Sequence, residues 1–306
     1  MVNLNKGNMD SISDDSLDLL EILKVLWERK FFIAITTSIF ILISIIFALS
    51  LPNLYKSEAL LMPVEENDSM GSMLGQYSSM ASLAGIPLPG SSGSKAQEAI
   101  SRITSYDFFS KNILPNIAIE DLLASKKWDP SNNKYSYDES IFNSESGKWL
   151  DGEPLPQMAY KIFSENLSIS LSKKTSFVSL SIKHISPFAA QEWAQLIIDQ
   201  IDIVMRDIDR EESNKAVNFL NALAISVKYE GIKKNLNSLQ EDQMKKLMMI
   251  EASDNYVFKV LDSPIVAERK FEPRRSVIVI LGMILGFLFS ITISLIQHYI
   301  RNSHGK

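Results

Sequence analysis

Phe31 to Leu51 reads FFIAITTSIFILISIIFALSL, an uncharged apolar run of about twenty residues, the length an α-helix needs to cross roughly 30 Å of hydrocarbon. A second run of the same character, VIVILGMILGFLFSITISLI, occupies Val277 to Ile296. Between them lies a polar insert of about 225 residues, enough for a core of its own. Two crossing helices put the ends of the chain on one side of a membrane and the insert on the other. Ala48-Leu49-Ser50 is a weak match to a signal-peptide cleavage site, but the run exceeds an h-region of about 7–15 residues and follows a partly acidic segment of about 30 residues. An uncleaved anchor is expected. Charge does not orient it: Lys24, Arg29, Lys30, Arg301 and Lys306 on one side face Lys56, Lys259, Arg269, Lys270, Arg274 and Arg275 on the other.

The expected organisation is α+β: a segment at 1–30 with an amphipathic helix, a first span at 31–51, an extramembrane domain at 52–275, a second span at 276–296 and a tail at 297–306. With 46% hydrophobic and 22% charged residues, the insert has the makeup of one folded domain. A net charge of −5 argues against nucleic acid as a partner, which selects a basic face. The absence of cysteine rules out thiolate metal sites, cysteine nucleophiles and disulfides.

Asp14, Asp15 and Ser16 can cap a helix whose Leu17, Leu20, Leu23 and Trp27 recur at three- to four-residue spacing, an interfacial lead-in to the first span. Tyr55 to Val64 predicts a strand, and Glu66 to Ala96 is a small-residue tract without a phosphate-binding loop. Short helices broken at Pro115 are expected over 96–124, a loop-like stretch from Lys126 to Pro156, and a helix from Ala159 to Asn166. Leu167, Ile169 and Leu171 alternate with serines, as do Val178, Leu180 and Ile182 after a Lys173–Ser176 turn, which reads as a hairpin with one apolar face. Ser186-Pro187 then starts a helix expected to run to about 227, roughly 60 Å at 1.5 Å per residue. A second helix is expected at about 232–250 and a final strand at Tyr256 to Leu261. Two long helices in series, with apolar stripes interrupted by charge, describe an extended arm that packs on itself or on neighbouring subunits.

No catalytic constellation is visible. His184, His298 and His304 are far apart, and His184 reads as a strand-end side chain. Asp207, Asp209, Glu211 and Glu212 alternate with Arg206 and Arg210 on one helix, a solvated or subunit-pairing face rather than an acid/base pair. Arg269, Lys270, Arg274 and Arg275 form a membrane-proximal basic cluster suited to lipid phosphates, a lipid-linked pyrophosphate or an acidic partner. Gly282 and Gly286 make a GxxxG pair that permits close helix approach in the second span. No cofactor is expected.

Four stretches, in order along nearly the whole chain, resemble the polysaccharide co-polymerases, the Wzz-type chain-length determinants of O-antigen and related surface glycans. They are LDLLEILKVLWERKFFI, SMASLAGIPLPGSS, LSISLSKKTSFVSLSIKHISPFAAQEWAQLIID and DNYVFKVLDSPIVAERKFEPRR. Ala267 and Glu268 depart from the denser proline cluster usual in that family. No Walker motif follows the second span, so the chain does not resemble the members fused to a tyrosine kinase.

The resemblance implies cytoplasmic termini, a periplasmic insert, an inner-membrane location and assembly into closed homo-oligomeric rings, commonly described as octamers. It implies a non-catalytic role: setting how many repeat units a Wzy-type polymerase adds to an undecaprenyl-pyrophosphate-linked glycan. On that reading Asp202, Arg206, Asp209, Arg210 and Asn214 are the candidate arm contacts to a neighbour or to glycan, and Gly282 and Gly286 the span-packing residues. The alternative is a capsule or exopolysaccharide export adaptor working with a separate kinase and an outer-membrane channel.

Overall fold

The computed structural model describes residues 25–64, 95–227 and 229–303. The helix-capping residues Asp14 to Ser16, nearly all of the 66–96 tract, and His304 lie outside the described residues. The chain divides into two compact units, one made of Met1–Leu51 and Pro273–Lys306, the other of Pro52–Glu272. Arg274 and Arg275 fall in the first of these units.

In the helical unit α1 (Lys30–Ser50) and, at the far end of the chain, α7 (Arg275–Ser303) are both long and apolar enough to cross a membrane. Many of their large side chains, Ile39, Leu42, Ile46, Ile284 and Leu288 among them, are exposed.

The second unit holds the rest, from β1 (Tyr55–Pro63) and α2 (Lys95–Ile103) onward. Short turns from Tyr106 to Asn116, with Pro115 in the last of them, lead to α3 (Ile119–Leu123). After α3 the expected loop is instead two small antiparallel hairpins, β2 (Ser125–Asp129) with β3 (Lys134–Tyr137), and β4 (Phe142–Asn143) with β5 (Lys148–Trp149). Turn residues dominate the composition there and hide the strands. Asn133 and Gly147 take positive φ at the reversals, and the rings of Tyr137, Phe142 and Trp149 pack in series across both hairpins.

Then follow α4 (Pro156–Asn166), β6 (Leu167–Leu171), β7 (Val178–His184), α5 (Pro187–Ser226), α6 (Glu230–Ala252) and β8 (Phe258–Asp262). The sheet order is β6-β7-β1-β8, every neighbour antiparallel. β6 and β7 form the hairpin read from the serine alternation, with Leu167 opposite Ile182 and Leu171 opposite Val178. Period-two alternation buries Ala59, Leu61, Val178, Leu180 and Ile182 on one face and leaves Glu58 and Ser170 on the other.

The proximal half of α5 lies on the buried face. Ser186 accepts from Ala189 N at its start, and Ala189, Ala190 and Ala194 let the helix come close to the strands. Trp193, Ile197, Ile201 and Met205 fill the space between, joined by Phe109, Ile113 and Phe163. Each large aliphatic side chain so buried contributes about 1.5–3 kcal/mol. Beyond Met205, α5 has α6 as its companion, packed antiparallel along it. Leu236 and Ile250 of α6 are buried, whereas Phe219, Ile225, Tyr229 and Ile232 stay exposed.

The two ends of this unit meet. Leu54 N donates to Glu272 O at 2.8 Å and Glu272 N to Leu54 O at 3.2 Å, an antiparallel bridge that closes the unit.

Candidate functional site

The charged stretch of α5 is where the arm leaves the core. Asp202, Arg206 and Asp209 recur at i, i+4 and i+7 and so share one helix face, turned toward the end of α6 and the start of β8. Asp202 Oδ1 accepts from Tyr256 N at 2.7 Å and Val257 N at 3.0 Å, while its other oxygen accepts from Arg206 Nη2 at 2.8 Å. Arg206 Nη1 donates to Ser253 O at 2.8 Å and to Ile250 O, satisfying carbonyls that the end of α6 leaves open. Asp209 accepts from the Tyr256 hydroxyl and pairs with Lys95 at 3.0 Å and Lys246 at 3.6 Å. The Lys95 ammonium also lies 3.8 Å from the Tyr256 ring centre.

These contacts form a clasp tying α2, α5, α6 and β8 together at the root of the arm. Burial alone would raise the Asp209 carboxyl, but the Tyr256 hydroxyl and the two ammonium groups outweigh it and hold it below the ordinary carboxylate value. Burial and the Asp209 carboxylate push the Tyr256 hydroxyl up to about 12. The clasp therefore keeps a charged carboxylate and a neutral phenol together at neutral pH.

The structure divides the five arm residues singled out from sequence. Asp202, Arg206 and Asp209 spend their polar atoms within the subunit. Arg210 is paired on the flank, with Glu251 at 2.6 Å and with Asp207. Asn214 is exposed. Sequence reasoning did not single out Lys95, Lys246 and Tyr256. The common face of Asp202, Arg206 and Asp209 signalled an inward network, but its partners are remote in the chain.

The basic residues near the second span fall in both units. Arg269 and Lys270 belong to the Pro52–Glu272 unit, where both are exposed and Lys270 Nζ is 3.5 Å from Asn53 Oδ1. Arg274 and Arg275 belong to the helical unit, where Arg275 Nε donates to Ala48 O at 3.2 Å near the end of α1. Gly282 and Gly286 both face α1. A Cβ on Gly282 would lie 1.7 Å from Ser44 Oγ, and one on Gly286 would lie 2.5 Å from Phe40 Cβ. Phe40 packs on Phe289 at 5.5 Å between ring centres, and Arg29 donates to Gln297.

His184 is buried at the end of β7, with Nε2 3.0 Å from Asp121 O and Nδ1 accepting from Ser186 N at 3.1 Å. The pair of contacts selects the tautomer protonated on Nε2. Burial lowers its pKa, so the ring stays neutral and serves to join α3, β7 and α5.

Residues 15–113 match the family model described as Wzz, chain length determinant protein. No curated protein sequence matches the chain. Among solved structures, a full-length bacterial polysaccharide co-polymerase is similar at 14% identity and a TM-score of 0.41, over 94% of this chain and 100% of that one. A fragment of WzzB, a polysaccharide co-polymerase from Salmonella Typhimurium, is 11% identical over 72% of this chain and 100% of its own, with a TM-score of 0.27. A mutant of the Shigella flexneri lipopolysaccharide O-antigen chain-length regulator WzzBSF is 11% identical over 71% and 99%, with a TM-score of 0.21. The family match takes in α1, β1 and α2, the first span with the strand and helix that follow it. Over residues 15–113, about a third of its length, the chain is thus similar to the Wzz chain length determinant family.

Proposed function

We propose that this protein regulates the chain length of a surface polysaccharide of the O-antigen type. It acts as a non-catalytic, ring-forming co-polymerase in the bacterial inner membrane, with the Pro52–Glu272 unit in the periplasm and a Wzy-type polymerase as its partner. The observation that carries the reading is the match of residues 15–113 to the chain length determinant family. Two features of the chain support it: a pair of helices suited to a membrane, and an arm whose far end exposes Phe219, Ile225, Tyr229 and Ile232 for assembly with neighbours.

On this reading the exposed Arg269 guanidinium of the Pro52–Glu272 unit is a contact for the undecaprenyl-pyrophosphate carrier of the growing glycan, since its planar fork suits phosphate oxygens. Asn214 and Arg210, the arm residues turned outward or to the flank, are the contacts to a neighbour or to glycan.

The test is a lipopolysaccharide gel from a strain that lacks its own regulator but carries the native polymerase. Expression of the protein is expected to gather an unregulated ladder into a modal cluster of bands. An unchanged ladder, with the protein present and assembled in the membrane, would sink the proposal and favour an export adaptor.

A further inference from the structure

The helical unit carries a groove of about 530 Å³ beside the first turns of α1, within the size range of lipid and ligand pockets. Its walls are almost wholly apolar: Trp27, Ile33, Ala34 and the Phe287 ring of α7. One charge stands in it, the ammonium of Lys30, which lies 4.7 Å from the Trp27 ring centre and 5.7 Å from that of Phe31. Glu28, two residues away, does not share its helix face. About two turns further along α1 the groove reaches Thr37, whose buried hydroxyl has no hydrogen-bond partner among the described residues.

A cation against aromatic rings at the mouth, an apolar trough behind it and a spare donor within match the parts of one kind of molecule. A glycerophospholipid presents a phosphate, ester oxygens just below it and acyl chains beyond. The positive charge at the mouth selects among such lipids for a net negative headgroup, since a zwitterionic one carries its own cation beside the phosphate. We propose that the groove is a binding site for an anionic glycerophospholipid, with its phosphate at Lys30, its chains against Ile33, Ala34 and Phe287, and an ester oxygen accepting from Thr37. The site is independent of the polysaccharide function, but it rests on α1 lying in a bilayer.

The test uses the full chain in phosphatidylcholine nanodiscs that contain, at equal mole fraction, either phosphatidylglycerol or phosphatidylcholine brominated on the acyl chains. Bromine quenches tryptophan at short range, and the difference between the native protein and Trp27→Phe isolates the Trp27 signal. Brominated phosphatidylglycerol is expected to quench that signal with about fivefold greater apparent affinity than brominated phosphatidylcholine, the enrichment one basic side chain provides near an anionic surface. Lys30→Gln is expected to erase the preference and leave quenching by phosphatidylcholine in place.

Equal quenching by the two lipids would mean bulk lipid only and would overturn the site, as would a preference that survives Lys30→Gln. A second tryptophan, placed at the outward-facing Ile46 in the Trp27→Phe background, separates the remaining cases. If that residue is quenched but Trp27 is not, protein fills the groove, either a second copy or another segment of this chain, and the proposal fails alone. If neither is quenched, α1 is outside the bilayer and the membrane reading fails with it.

Discussion

The Arg206 guanidinium donates to Asp202 and to the carbonyls of Ile250 and Ser253, while the same Asp202 receives the backbone of Tyr256 and Val257. Both side chains of the pair are mostly buried, at 18% and 24% exposure, so solvent screens them little. Arg206→Met leaves open carbonyls at the end of α6 and an under-neutralised Asp202. The expected loss is about 1.5–3 kcal/mol, the range for hydrogen bonds to charged groups, read as a lower denaturant midpoint. Hydrogen exchange should accelerate first at Met249–Ser253. Arg206→Lys is expected to recover only part, because a single ammonium lacks the planar fork that serves the carboxylate and the carbonyls together. The i, i+4, i+7 spacing of Asp202, Arg206 and Asp209 could be seen in the sequence. Their engagement with Tyr256 and Lys95 could not, because nothing local encodes which remote segment a helix face will meet.

Among elements, the ones with strong periodicity or strong punctuation were legible. The serine-alternating hairpin and the Ser186-Pro187 start of α5 need only near neighbours to form. The hairpins β2–β3 and β4–β5 did not announce themselves, since strands of two to five residues give alternation too little length to register and their stability comes from ring packing across the pair. The GxxxG pair of α7 has a sharper consequence. A Cβ at Gly286 would meet Phe40 Cβ, the fixed root of a side chain that rotation cannot remove, so α1 and α7 must separate to admit one. The chain has no cysteine of its own, so cysteines substituted at Arg29 and Gln297, which touch in the native pair, report the packing through a short bis-maleimide cross-link. Gly286→Val is expected to lower cross-linking several-fold, and undiminished cross-linking would refute the close approach.

At the scale of the whole molecule, the bridge between Leu54 and Glu272 makes the Pro52–Glu272 unit a closed loop of chain, leaving from where it arrives. Hydrogen-bonded antiparallel partners lie about 5.5 Å apart at Cα, within reach of a disulfide. Leu54→Cys with Glu272→Cys is therefore expected to oxidise readily. A pair that stays reduced under mild oxidant would show that the two ends part. The sheet inside this loop also sets an order of events during synthesis. Strand β1 is central, yet both its partners, β7 and β8, come from the far part of the chain, the nearer of them roughly a hundred residues later. At about 5–20 residues per second, β1 waits on the order of ten seconds with both edges open. High contact order of this kind makes folding slow and late rather than progressive. A ribosome stalled anywhere before Val178 holds a strand with no sheet to join, so the unit commits to its native form only when α7 is nearly due.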